Sequence, residues 1–473
     1  EIDCLGITIS AGNVSLDLTT KNALKILSLV NNKITPVYKG CPRPLISKLV
    51  TAEHVHGESG LDTGSGNALP EHQNPRHIKM NTIYYPAAII DINMSHTGTF
   101  FPYSWHVDDD ETEITSIRVY GINQRNENVC LRVDNFTPYV YIELPTHIEW
   151  TTAKAQLVGT KLDEMMGTKR PLKKALMTKK KLYGAYIDPA TRKRRLFPYL
   201  FCAFSHPNDI KMLSYQIKSA LNVFSLGRIY LKIHEANANP VLQLTCCRRI
   251  STAGWIAFKG TEVLGESKVT LCDHEYQVKW KRLKPHSNDR LPRPLIMGFD
   301  IEVNSTNPAT MPKANRPGDK IFQISCVLAR EGDDDDDYEK YLLTLGNPDQ
   351  TVTGEDVLIY MYDTEAKLLE GFTEFIREEN PNVIVGYNIL NFDIPYMIDR
   401  AKLNFCMFNF DQQGFHRFAH AKEASIKWSS SAYRNQEFKY LDAEGRLYVD
   451  LLPLVQRNYK LNNYKLKTIS SYF

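Results

Sequence analysis

The sequence predicts a multidomain chain of α/β and α+β type, with three textures in succession. A short α/β segment opens it, a strand-rich mixed region follows, and the last part reads as a mixed sheet flanked by helices. Three observations carry this. From Thr97 to Trp280, runs rich in Val, Ile, Tyr and Thr alternate with Asn- and Pro-containing turns. From Leu295 to Lys402, four strand-like runs are followed by helix, strand and helix patterns. Two polar, proline-bearing stretches, Glu71–Arg76 and Pro285–Pro294, separate the textures. At 473 residues the chain is too long for one ordinary core, and two to four domains are expected.

The opening segment, residues 1–75, reads as strand Leu5–Ser10, helix Thr19–Val30 and strand Thr35–Tyr38. The helix places Ala23, Ile26, Leu27 and Val30 on one face. Gly57–Gly66 is rich in Gly, Ser and Asp, hence loop. Residues 76–99 form a junction. The middle region, 100–290, has strand composition at Glu113–Tyr120, Asn128–Val133, Pro138–Leu144, Arg228–Ile233, Val241–Cys246 and Glu275–Trp280, with a helix over Asp209–Leu221. The last region, 291–473, predicts strands Leu295–Val303, Ile321–Ala329, Tyr338–Thr344, Val357–Tyr362 and Asn382–Tyr387, and helices Glu365–Arg377 and Ile394–Lys402. The first of these helices gathers Leu368, Leu369, Phe372, Phe375 and Ile376 on one side.

The composition, 43% hydrophobic and 23% charged, is that of a globular chain. No apolar run reaches the ~18–20 residues of a membrane span, and no secretory leader opens the sequence. The nine cysteines include no Cys-x-x-Cys and read as reduced thiols of an intracellular protein. The chain opens on Glu1 rather than Met, which points to a lost start or a cropped chain.

A net charge of +3 says little, but its distribution says more. Lys169–Arg195 holds eleven basic residues, among them Lys179, Lys180, Lys181, Arg194 and Arg195, and one acid, Asp188. Such a run can track phosphates, with Tyr183, Tyr186 and Phe197 available for stacking; equally it fits a mobile, solvated loop. The acidic run Asp333–Asp337 fits a hairpin tip.

The sharpest chemical signal is FDIEVNS, Phe299–Ser305. Asp300 and Glu302 lie two apart on a strand and project from one face. Two such carboxylates are costly to bury unless they share a cation, and Mg²⁺ or Mn²⁺ prefers oxygen ligands. The second signal is VGYNILNFDIPY, Val385–Tyr396, where Asp393 stands at a helix N-cap position two residues before Pro395. Asn388 offers an amide, and Phe392 an apolar ring for a base or sugar. Three carboxylates, Asp300, Glu302 and Asp393, suit two-metal phosphodiester hydrolysis, with ions ~4 Å apart activating water and neutralising the leaving oxygen. Read singly, Asp-x-Glu also fits a solvent face and Asp393 a plain helix cap.

Taken together, Phe299–Ser305 resembles the first exonuclease motif of family B DNA polymerases, and Tyr387–Tyr396 resembles the second. DKIFQIS (Asp319–Ser325), TEAKLLEGF (Thr364–Phe372) and Gly445–Ser470 are similar to the same family. FFPYSWHVDDDE, NFTPYVYIELP, RLFPYLFCAF, AGWIAFKG and CDHEYQVKWKRL resemble the N-terminal domain of polymerases from large DNA viruses. The resemblance spans about Phe100–Phe473. It implies a ribonuclease H-like 3′–5′ proofreading domain, with Asp300 and Glu302 binding metal, Glu302 beside the attacking water and Asp393 on the second metal. Asn388 and Phe392 would lie beside the 3′-terminal nucleotides. The implied partners are DNA, as a single-stranded 3′ end or primer-template, and a sliding clamp or processivity factor; the implied compartment is host cytoplasm or nucleus.

The family's third motif, Tyr-x-x-x-Asp, is missing from its usual place near the C-terminus. Tyr464 is followed at that spacing by Thr468 and Tyr459 by Asn463. Tyr440 is followed by Glu444, ahead of the expected position and in a polar turn. Asp450 reads as an aspartate opening a helix. No paired palm aspartates occur, so the expectation is a proofreading domain by descent that does not polymerise and hydrolyses weakly or not at all.

Leu5–Val30, Pro36–Leu45 and Thr51–Asp62 instead resemble an inosine-uridine nucleoside hydrolase. Asn13 matches a ribose-contacting Asn, and His56 a His near the base. The Asp-rich Ca²⁺ motif of that family is absent, so N-glycosidase activity is not expected from this segment. The two resemblances meet near Gln73–Met80, as in a fusion, with Met80 or Met94 as an original start. A nucleic-acid-binding module without catalysis is a third reading, carried by the basic run.

Overall fold

The structure is a computed structural model of the chain. It describes residues 7–9, 16–29, 37–39, 78–79, 96–108, 115–181, 187, 191–349, 354, 356–430 and 434–473. Asn13, His56, Tyr183 and Tyr186 lie outside the described residues, as do Met80 and Met94. The chain divides into two compact units. One comprises Glu1–Asn93 and Tyr139–Asn237, the other Met94–Pro138 and Ala238–Phe473.

In the first unit, strands Ile7–Ile9, Val37–Lys39 and Ile78–Lys79 pair in parallel, and helix Leu16–Leu29 lies between the first two in sequence. Its larger sheet has four strands, in the order Lys232–His234, Tyr139–Glu143, Leu196–Ala203, Lys173–Lys180. All its pairs are antiparallel. Helices Thr152–Met166 and Pro207–Gln216 supply Val158, Leu162, Ile210 and Leu213 to a core with Val140, Ile142, Leu200 and Cys202. By composition alone Lys169–Arg195 fits a phosphate-tracking run and a loop equally. Lys173–Lys180 is an edge strand, a position where lysines discourage further pairing.

In the second unit, five strands close into a barrel. His96–Val107, Ile117–Asn123 and Asn128–Asp134 form a meander. Ile256–Glu262 flanks it on one side, and His274–Lys279 pairs with both ends. Val241–Cys246, expected as a strand from its Val, Leu and Cys content, is instead part of helix Pro240–Arg248. The Asn239 side chain caps Val241 N at 2.8 Å, and Pro240 occupies the first turn. These start signals outweigh weak strand propensity.

The remainder of this unit is a six-stranded mixed sheet. Its order is Val357–Tyr362, Glu339–Leu345, Ile321–Arg330, Leu295–Val303, Val383–Gly386, Leu447–Asp450. Leu295–Val303 is central: antiparallel to Ile321–Arg330 and parallel to Val383–Gly386. Met297, Phe299 and Ile301 bury one side of it against helices Glu365–Glu379 and Asp393–Leu403. The buried Arg400 pins the second helix, donating to Glu365 (Nε–Oε1 2.7 Å) and to the carbonyls of Ala314 and Arg316. A hairpin, Lys422–Ser430 with Arg434–Asp442, precedes the last strand.

Glu444, expected in a polar turn, is buried at 8% exposure. It accepts from Arg118 Nε at 2.5 Å and from the Tyr120 hydroxyl at 2.6 Å, inside the barrel's own unit. A turn can be polar in sequence and still be covered when a long guanidinium reaches its carboxylate.

Candidate exonuclease site

Asp300 and Glu302 fall on one side of the Leu295–Val303 strand, as the two-residue spacing requires. Their alternation with Phe299 and Ile301 is complete: the carboxylates are exposed and the apolar pair buried. Opposite them stand Ser325 and Gln323, and the register shifts between Glu302 and Val303.

Asp393 arrives from another element. Val383–Gly386 pairs with Leu295–Val303 only through Ile296, Met297 and Gly298, then turns away. Gly386 makes this possible, because a Cβ there would meet the Phe299 carbonyl oxygen at 2.8 Å. Beyond the paired stretch, the Ile301 N–H is taken by the Asp393 carboxylate at 3.3 Å. Asp393 therefore does not cap its own helix, as its sequence position suggested. Phe392 stands at the N-cap, and Asp393 is the first helical residue.

Asp393 is 2% exposed and shares a hydrogen bond with the Asp300 carboxyl. Burial and then the neighbouring Asp300 charge push Asp393 up to about 7. Partial desolvation raises Asp300 as well. The pair holds a proton where a cation would hold both carboxylates ionised, so the donor set fits a hard divalent ion. Glu302 lies on the same face. Among the described residues, no group of three or more His, Cys, Asp or Glu is drawn together tightly enough to enclose a metal. The structure thus unites Asp300 and Asp393 and leaves Glu302 adjacent.

Asn388 adopts φ 66°, a left-handed conformation Asn tolerates. Its carbonyl accepts from Asn391 N and Phe392 N, and its side chain from Asn391 Nδ2 at 3.2 Å. Phe392 is half-buried and packs on Tyr396 at 5.5 Å. The basic residues lie in the first unit. Lys180, Arg194 and Arg195 are exposed, Lys179 covers the Tyr141 ring, and Lys181 pairs with Glu143.

Sequence reading missed Asp450 as a site residue. Its carboxylate caps helix Leu451–Asn458 through Leu452 N, as a helix-opening aspartate should. It also receives Asn388 N and Leu390 N from the loop that carries Asp393. The Tyr387 hydroxyl of the same loop donates to the Tyr464 carbonyl. Only the helix cap is written locally in the sequence.

The central mixed sheet thus brings two carboxylates together at one end of a strand. Residues 231–469 match the model of the DNA polymerase family B exonuclease domain. The chain belongs to the family B DNA polymerases. It is 43% identical over 392 residues to DNA polymerase 120R of Invertebrate iridescent virus 3, covering 79% of this chain and 34% of that protein. It is 36% identical over 408 residues to DNA polymerase 037L of Invertebrate iridescent virus 6, covering 79% and 32%. The DNA polymerase delta catalytic subunit of Glycine max is 26% identical, over 76% of this chain and 33% of its own.

The family B DNA polymerase structure from Pyrobaculum calidifontis superposes with a TM-score of 0.52 at 18% identity, covering 79% of this chain and 39% of that one. The chain thus spans about a third of the length of the curated relatives it matches. Residues 1–102 match the inosine-uridine preferring nucleoside hydrolase model. Family B exonuclease domains generally depend on divalent metal. No helix among the described residues is long and apolar enough to cross a membrane.

Proposed function

We propose that residues 291–473 form a ribonuclease H-like 3′–5′ exonuclease domain that removes nucleotides from single-stranded DNA ends, as part of a replicative DNA polymerase. The observation that carries this is the Asp300–Asp393 carboxyl pair, joined from a central strand and a helix start. Asp300, Asp393 and Glu302 would hold Mg²⁺ or Mn²⁺. Bound there, the ions supply Lewis-acid stabilisation of the scissile phosphate and an activated water. Around them the chain's own residues set the geometry. Ile301 N–H orients Asp393, and Asp450 fixes the loop before it. Glu302, exposed on the same strand, would hold the attacking water. Asn388 and Phe392 would contact the terminal nucleotides.

The middle region, 100–290, is assigned as the polymerase's N-terminal domain and 1–75 as a separate hydrolase-like segment. DNA is the partner this reading requires, met as a single-stranded 3′ end or a primer-template. Lys179, Lys180, Lys181, Arg194 and Arg195 are assigned to it. A sliding clamp or processivity factor would serve the intact polymerase, in the cytoplasm or nucleus of an infected host. The hydrolase reading has the family match over residues 1–102 in its favour, and rests on Asn13, His56 and a Ca²⁺ ion.

The test is shortening of a 5′-labelled single strand by the purified chain with Mn²⁺ or Mg²⁺, alongside Mn²⁺ binding followed by electron paramagnetic resonance. Both should fall at least tenfold in Asp300→Ala and Asp393→Ala, each ion being worth several kcal/mol. Metal binding and shortening that survive both substitutions would overturn the assignment. Release of base from inosine or uridine would support the hydrolase instead.

A further inference from the structure

The four-stranded sheet of the first unit is wound as strand, helix, strand, strand, helix, strand, in the spatial order fourth, first, third, second. One face meets the helices through Val140, Ile142, Leu200 and Cys202. The other face carries rings. Tyr139 and Tyr141 come from the first strand, Tyr199 and Phe201 from the third, and His234 from the fourth. Adjacent centroids lie 5.4–6.3 Å apart, from Tyr139–Phe201 to Tyr141–Tyr199. Tyr141–Phe201 at 5.7 Å and Tyr199–His234 at 5.6 Å complete a continuous aromatic surface across three strands.

Ammonium and guanidinium groups lie over this surface. Lys179 Nζ is 4.1 Å from the Tyr141 centroid, Lys181 Nζ 4.2 Å from that of Phe197, and Arg195 5.2 Å from the same ring. Arg192–Arg195 are exposed where the second and third strands approach their connection. The acid on this face, Glu143, is already matched by Lys181 and by His234 Nε2 at 2.8 Å. Tyr141 and Phe201 are half-buried, and Met177, on the edge strand of the same face, is 39% exposed. A face built only for packing would be closed by apolar side chains. Phe197 and Tyr199 are buried within this face, whereas Tyr141 stays half-buried beneath Lys179, an arrangement suited to stacking bases while phosphates take the charges.

We propose that this face is a binding site for single-stranded DNA, remote in function from the carboxylates. The choice of DNA rests on the polymerase reading given above. Bases would stack on Tyr141 and Phe201, with Lys179 moving from the ring to a phosphate. Arg195 would continue the phosphate track.

The experiment is fluorescence anisotropy of a labelled oligo-dT with the full chain in EDTA, so that no strand is cut. Tyr141→Ala and Phe201→Ala should each weaken binding about tenfold, and Tyr141→Phe should restore it. Lys179→Ala should weaken binding and reduce the salt dependence by about one phosphate contact. Circular dichroism checks the fold, and Lys179, on the surface, keeps the test valid where a ring variant does not fold. Affinity unchanged in Tyr141→Ala and Lys179→Ala overturns the proposal. So does loss in Lys179→Ala with none in the ring variants, which leaves charge without stacking. Tighter binding of oligo-U than of oligo-dT overturns the choice of DNA. Shortening of a labelled strand in Asp300→Ala and Asp393→Ala is a separate readout from this anisotropy in EDTA, so either proposal can fail without the other.

Discussion

Asp450 accepts the backbone N–H of Asn388 at 2.8 Å, and with its second oxygen that of Leu390 at 3.1 Å. One carboxylate from the edge strand thereby fixes the loop that delivers Asp393 to the central strand. It caps its own helix at the same time.

Replacing it tests this dual role. Asp450→Ala removes a helix cap and strands two partly buried N–H groups, a loss of about 2–4 kcal/mol. The melting temperature of this unit should fall by several degrees. Mn²⁺ affinity should fall with it, although Asp450 is not among the proposed metal ligands. Asp450→Asn, which keeps acceptor capacity on one atom, should retain more of both.

The Asp393 carboxyl gives a pH dependence of unusual sign for an aspartate. Its folded value, about 7, lies above the ordinary value of 3.8. Between these values the folded metal-free chain keeps a proton that the unfolded chain has lost. Stability therefore falls as pH rises from about 4 to about 7, and levels off above. Asp393→Asn should be more stable than the parent in EDTA at pH 8, on the order of 2–4 kcal/mol, with the gap closing near pH 4. Chemical denaturation of both proteins across this range checks it. Mn²⁺ should bind more tightly as pH rises through 7, because binding expels the same proton.

Glu444 shows the opposite sign. Burial pushes its carboxyl up, but hydrogen bonds and charge from Arg118, with help from His106 and Tyr120, hold it below the ordinary 4.5. Its contribution is present above that value and lost as pH falls below it. Glu444→Ala should cost about 1–3 kcal/mol at neutral pH by removing one of the two carboxylates that the half-buried Arg118 meets, the other being Asp108. An Arg118→Met, Glu444→Leu double variant should recover much of that loss.

Gly386 marks the tightest approach in the site loop. A methyl group there meets Ile389 Cγ2 at 2.3 Å and the Phe299 carbonyl oxygen at 2.8 Å. Gly386→Ala should destabilise by about 1–3 kcal/mol and displace Asp393 from Asp300. Its pH-dependent stability between 4 and 7 would then flatten, which separates displacement from simple loss of stability.

Much of the last region was legible because its signals are local. Leu295–Val303 and Val357–Tyr362 were read with their observed ends, and Glu365–Arg377 missed only the last helical turn's two residues. The Asp300–Glu302 pairing on one face followed from strand period alone. What escaped was non-local. Nothing near Asp450 announces that Asn388, far upstream, needs an acceptor. Nothing near Glu444 announces Arg118. The Lys422–Ser430 and Arg434–Asp442 hairpin strands carry Lys, Glu and Asn, which hide the alternation that burial would impose on a core strand. Val241–Cys246 has strand propensity by itself, and only the Asn239-Pro240 start signal just upstream marks it as helix.

The barrel also sets an order of events at the ribosome. Asn128–Asp134 finds its parallel neighbour only in His274–Lys279, and residues 139–237, which fold into the first unit, emerge between them. The early meander waits with both margins unpaired, since His96–Val107 finds its outer neighbour only in Ile256–Glu262, while an entire intervening module is synthesised. Such delayed, long-range closure is slow and invites wrong pairing. The intervening module contains its own local pairings, so it can mature first and shorten the effective span that its host must then close.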